Sequence, residues 1–169
     1  MAKFQMQGIN QYLDQLRKLE KGTDTVCKAA IYAGAKVLAD GIKDAIENLD
    51  RVTDADAKAA WKEGKPTKIS VGQKIGLVQS MGVTPIRDKY GNYDAKIGFD
   101  GYNDIKTERW PNGQPNELIA RACESGSSAM LKQPFIRPTE KRLKDAVYQA
   151  MDEAADKETQ KIIGGKNNG

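Results

Sequence analysis

One stripe constrains this chain more than any other feature. Cys27, Ile31, Ala35, Leu38, Ile42, Ala45 and Leu49 recur at alternating steps of four and three, which puts them on one face of a helix over about 24–50. A helix with one apolar face must bury it against something. The candidate partner closes the chain: Leu143, Ala146, Val147, Ala150, Met151 and Ala154 form a second stripe over 138–160. Pro138 sits where such a helix can start, because its missing N–H is not needed in the first turn. A third, shorter stripe of Ile9, Tyr12, Leu13, Leu16 and Leu19, with Asp14, Arg17 and Lys18 opposite, predicts a helix over 9–20. Gly22-Thr23 then predicts a break, with Thr23 or Asp24 capping the next helix. Beside the main stripe, Ala29, Ala30, Ala33 and Gly34 make a small-residue face that lets another backbone come close, within the chain or in a second subunit.

The middle of the chain changes period. Residues 51–60 keep helical composition but lose the stripe, and are expected to be a frayed continuation of the long helix. Residues 61–74, from Trp61 to Lys74, read as a loop. Leu77 to Arg87 and Tyr93 to Phe99 read as two strands of an antiparallel hairpin across the turn residues Asp88-Lys89-Tyr90-Gly91-Asn92. Gly101, Asn103, Pro111, Asn112, Gly113 and Pro115 predict a long loop over 100–116. Leu118 to Cys123 is short and apolar, read as helix, and Glu124-Ser125-Gly126-Ser127-Ser128 as a turn. The expectation is a single α+β domain over 1–163: amphipathic helices packed on a small antiparallel sheet containing a β-hairpin, with mobile loops near 61–74 and 100–116. Residues 164–169, polar and glycine-rich, are expected to be a disordered tail.

Composition narrows function by exclusion. The chain has no histidine, which removes Ser-His-Asp and Cys-His nucleophile systems and the commonest zinc ligand. Ser125-Gly126-Ser127-Ser128-Ala129 is not a nucleophile elbow and has no base. The carboxylate pairs Asp54/Asp56 and Asp152/Glu153 lie in polar surroundings, not in the apolar cleft that raises a catalytic acid. No phosphate-cradling glycine motif and no calcium loop occurs. The expectation is no catalytic residue, no metal and no cofactor, and a protein that is not an enzyme. Two cysteines, Cys27 and Cys123, read as small buried hydrophobes in a reducing compartment. The start of the chain lacks the apolar run of a signal peptide, so the protein is expected to mature in the cytoplasm where it is made. Net charge is +4, too mild for a dedicated nucleic-acid binder. Within the 61–74 loop, however, Lys62, Lys65, Lys68 and Lys74 accompany Trp61. They are read as a possible DNA-facing surface, against the plainer reading of a solvated run.

One segment remains: Gln133-Pro134-Phe135-Ile136-Arg137-Pro138, just ahead of the last helix. Pro134 and Pro138 bracket residues expected to stay extended, since a residue before proline is pushed out of the helical region. Phe135 and Ile136 would then face opposite sides, Phe135 either plugging the core or lining an interface. The segment resembles the "P-F-hydrophobic-R-P" signature of the minor tail-component family of long-tailed phages, also called tail-completion or neck proteins. Gly8-Ile9 resembles that family's N-terminal start. Gly76-Leu77-Val78-Gln79-Ser80-Met81 resembles its "T-G-x-L-x-x-S-I" junction, with Ile75 in place of the threonine. Glu124-Ser125-Gly126-Ser127-Ser128 resembles its "E-hydrophobic-G-T-S" turn, with Ser125 in place of the apolar residue. The resemblance spans about 4–155, and the extra length falls in 51–74 and 100–116. It implies a structural virion protein, made in the host cytoplasm, that joins the head connector to the tail tube. Its implied partners are the connector, head-closure, tail-terminator or tail-tube proteins and its own copies in a ring, with DNA passing through and no membrane. A tail-terminator or head-closure ring protein is the alternative, and a nucleic-acid-binding module a more distant one.

Overall fold

In a computed structural model, which describes residues 9–164, the chain is α+β. Its first helix, α1, spans Ile9–Glu47, 39 residues or about 58 Å. It is a single helix where the sequence predicts two. Gly22 is a contact and not a terminator: a methyl group there would run into Ile162. Gly34 repeats the arrangement against Met151 and Val147, and Gly41 against Leu143 and Thr139. Thr23 caps nothing and returns its hydroxyl to the Leu19 carbonyl at 2.9 Å. An interior glycine costs a helix about 1 kcal/mol, and here close packing against the last helix offsets it.

That last helix, Ile136–Gly164, runs antiparallel to α1, as the three glycine contacts fix its direction. The small-residue face of α1 at Gly34 therefore belongs to a seam within the chain. Gly164 is the final helical residue; the expected tail at 165–169 and the Gly8 of the N-terminal motif lie outside the described residues.

Between the long helices the chain builds a compact head at the C-terminal end of α1. Arg51–Val52 (β1) is followed by α2, Asp54–Lys62, so 51–60 is not a frayed end of α1. Thr53 ends the ambiguity: its hydroxyl accepts from the Asp56 amide at 3.1 Å and caps α2. The expected 61–74 loop shrinks to 63–68. Ile69–Ser70 (β2) pairs parallel with β1, and Val71–Ser80 is α3, opened by a capping box between Ser70 and Gln73. The hairpin is present but starts later than expected, because 77–80 is helix. Met81–Val83 (β3) pairs antiparallel with Ile97–Phe99 (β6), and Arg87–Lys89 (β4) with Asn92–Asp94 (β5). Tyr90 and Gly91 turn it with φ of 57° and 78°, the paired left-handed residues that match strand twist. The apolar run Leu118 to Cys123 is helical as expected, but its helix α4 spans Asn116–Ser125 and takes in Glu124 and Ser125, which were expected to turn, and Ile136–Gly164 is α5.

The core is small and sits in this head. Ile42 and Ile46 of α1, Ile69, Leu77, Ile119, Cys123, Met130 and Phe135 are buried together. The 100–115 loop is pinned by Asn103, which is buried and whose Oδ1 accepts from the Ile105 and Gln114 amides at 2.9 and 3.3 Å. Gly76 makes room for it: a Cβ there would meet the side chains of Asn103 and Asn116. Away from the head, α1 and α5 run on as a two-helix arm, flanked for part of its length by the hairpin.

Candidate assembly site

The proline segment and the glutamate turn, separate in sequence, form one structure. Glu124 lies in the last turn of α4 and is buried. Its Oε2 accepts from the amides of Phe135 and Ile136, both at 2.8 Å, and its Oε1 from the Arg137 amide at 3.1 Å. Those are amides at the start of α5 that have no partner within the helix. A carboxylate there also meets the positive end of the helix dipole. Burial pushes the Glu124 carboxyl up. The amides of Ile136, Phe135 and Arg137, with help from the Arg137 guanidinium, outweigh it and hold the group below the usual carboxylate range.

This clamp corrects one expectation. Ile136 and Arg137 belong to the first turn of α5 and are not extended between two prolines. Pro138 is tolerated because the amide it lacks would have had no helical acceptor. Phe135 and Ile136 do not face opposite sides either. Phe135 is buried and meets Phe99 edge-on, with ring centroids 6.0 Å apart, and Ile136 packs against the same core. Pro134, Arg137 and Pro138 are exposed. Gln133 ties the segment to the head: its Oε1 accepts from the Ile69 amide at 3.1 Å and its Nε2 donates to the Asp50 carbonyl at 2.9 Å. The sequence reading gave neither Glu124 nor Gln133 a role. An acid just before a glycine turn, followed by a proline-flanked helix start, was the available signal for the first.

The basic loop does not come together as a DNA-facing strip. Lys74 is buried on α3, where its Nζ donates to the carbonyls of Glu47 and Leu49 at 2.7 and 2.9 Å and closes the C-terminal end of α1. Desolvation, with the Arg51 charge, lowers its pKa. Lys68 pairs with Asp50 at 2.7 Å and Lys65 with Glu63 at 2.9 Å. Trp61 and Lys62 end α2 and stay exposed. Three of the four carboxylates noted in the sequence are likewise engaged locally. Asp54 accepts from the Gly72 amide, Asp56 from the Thr53 hydroxyl, and Glu153 from the Gln149 side chain. Ser127 accepts from the Met130 amide and holds the turn.

Two open hollows stand out. One, about 390 Å³, lies beside Glu47, Lys74, Ile75 and Val78. The other, about 170 Å³, is walled by Ile31 and Leu38 of α1, Ile97 of the hairpin, and Val147 and Met151 of α5. Among the described residues no cluster of acids and cysteines is placed to hold a metal, and no helix is long and apolar enough to cross a membrane.

Surface is where this chain is unusual. It exposes 12286 Å², where a compact monomer of 18.6 kDa exposes about 8,200 Å². Comparison of the chain with protein-family models, with curated proteins and with solved structures finds no match. Its own geometry therefore carries the functional argument.

Proposed function

We propose that this chain is a structural virion protein of a tailed bacteriophage, made in the host cytoplasm, that completes the neck between head connector and tail tube. The observation that carries the reading is the Glu124 clamp. Two pieces of the resemblance to minor tail-component proteins, the proline motif Pro134 to Pro138 and the turn opened by Glu124, meet atom to atom at the start of α5. A chance match of short motifs carries no such requirement. The chain's work is binding: copies sit on neighbouring rings of the neck and form the joint through which DNA passes.

Electron microscopy of particles assembled without this chain tests the reading. Filled heads beside finished, unattached tails are the expected result. Joined, infectious particles would refute it.

A further inference from the structure

The larger hollow sits at the C-terminal end of α1 and holds about 390 Å³ between Glu47, Arg51 and α3. Its apolar wall is Val71, Ile75 and Val78, spaced by four and three and therefore on one face of α3. Ile75 is 49% exposed there. Residues 1–8 and 165–169 cannot cover this wall. Eight residues reach at most about 29 Å, and Ile9 lies about 57 Å from Glu47 along α1. Five reach at most about 18 Å, and Ile162 near the end of α5 meets Gly22, about 38 Å from Glu47.

The charges around the hollow do not cancel. Lys74 lines it and is 8% exposed. Two of its N–H groups go to the Glu47 and Leu49 carbonyls, and the third has no acceptor among the described residues. Arg51 is exposed and forms no ion pair among the described residues. Glu47 is the one carboxylate in the lining. Asp50, which also acts on Lys74, is taken by Lys68 at 2.7 Å. Two cations against one carboxylate leave a positive charge unmatched. The carbonyls at the end of α1 offset part of the Lys74 charge, so Arg51 is the principal anchor for an anion.

We propose that this hollow binds the carboxyl-terminal residue of a partner protein. The carboxylate meets Arg51 and the third N–H of Lys74, and an apolar side chain packs on Val71, Ile75 and Val78. A terminal residue carries both groups on one Cα. In an extended internal segment, an acidic residue and its apolar neighbour point to opposite sides, and only one of them would enter. Guanidinium and carboxylate match in a planar pair of hydrogen bonds. Glu47 repels a second negative charge, which limits the occupant to one carboxylate. The hollow is open and near the lower size of pockets that enclose a small molecule, so it suits the end of a chain better. The site does not depend on the neck reading, which bears only on the protein that supplies the end.

The test is an NMR titration of the full chain with N-acetyl-leucine, whose carboxylate and isobutyl group share one Cα. Saturable shifts at Arg51, Ile75 and Val78 are expected, with a Kd of about 1 mM. Arg51→Gln should weaken binding by about fivefold or more at an unchanged melting temperature. N-acetyl-leucinamide, which lacks the charge, and acetate, which lacks the apolar group, should each bind more weakly by about fivefold or more. No shift at the hollow by about 50 mM overturns the site, and so does equal binding of either comparison probe or of the Arg51→Gln chain. A glycine–serine peptide ending in leucine as the free acid should bind at least as tightly as N-acetyl-leucine. Weaker binding of that peptide overturns the protein partner in favour of a free small acid. Tighter binding of an amidated peptide with an internal aspartate beside leucine overturns the chain end in favour of an internal acid. The neck reading fails separately: joined particles without this chain sink that reading alone and leave the titration as it is.

Discussion

Replacing Glu124 by glutamine keeps the side chain's size and removes its charge, so it isolates what the clamp contributes. The carboxylate accepts from three amides, two at Oε2 and one at Oε1. The amide form can put its oxygen at the place of Oε2 and keep two amides, or at that of Oε1 and keep one, but not all three, because its –NH₂ must then face a backbone N–H. At least one amide at a buried helix start loses its acceptor, which costs about 1–3 kcal/mol, and the charge–dipole attraction of up to about 1 kcal/mol is lost as well. A loss of about 2 kcal/mol is expected, lowering the melting temperature by about 4–8 °C for a chain of this size. Circular dichroism with urea titration reads both. The pH dependence supplies a second check. The folded-state carboxyl lies below its ordinary value, so its contribution is fully present above about pH 5 and is lost as pH falls through the folded pKa. Between about pH 5 and 3 the wild type should therefore lose stability faster than Glu124→Gln. A variant within about 0.5 kcal/mol of wild type at pH 7, or one with the same acid slope, refutes the clamp as a source of stability.

Three further substitutions probe other parts of the fold. Phe135→Ala should cost about 3–5 kcal/mol by denaturation, since the ring is 2% exposed and packed on Phe99; a folded, unperturbed variant defective only in assembly would mean the ring serves an interface. Gly34→Leu should destabilise by about 1–3 kcal/mol, because its Cβ alone would stand 2.7 Å from Met151 Cγ; hydrogen exchange should show the loss along α1 and α5, and unchanged protection there would refute the seam. Tyr90→Asn should stabilise by about 1 kcal/mol, as Tyr90 holds φ of 57° with its side chain in water; a destabilised variant would mean that the ring has a partner worth the strained turn.

The sequence made most of the elements legible and misread several of their ends, for reasons that are particular. Stripes at helical spacing located α5 and most of α1, and the turn residues at 88–92 located the hairpin. Gly22 was misread because a local rule, glycine interrupts helices, competes with a contact to Ile162 that only the fold supplies. Thr53-Asp54-Ala55-Asp56 and Ser70-Val71-Gly72-Gln73 were legible as capping sequences, but lysine content drew the second into a loop. Lys74 looked like a DNA contact by composition. Its charge is spent on the orphan carbonyls of a helix that ends 27 residues earlier, at Glu47. Glu124 shows the limit most clearly: the acid and the amides it holds are 11 to 13 positions apart, and no periodicity links them.

The fold separates what stabilises this chain from what it has available for partners. Buried side chains, Asn103, Lys74 and the Glu124 clamp all lie in the head, so substitutions there should change melting temperature first. Tyr12, Leu13 and Leu16, near the N-terminal end of α1, are exposed. Leucines kept in water at helical spacing gain free energy only when something covers them, at about 25 cal/mol for each Å² removed from solvent. Substitutions there should therefore lower the melting temperature less than those in the head. The clamp connects the two halves: by fixing the start of α5 against α4, Glu124 sets the line along which the arm leaves the head.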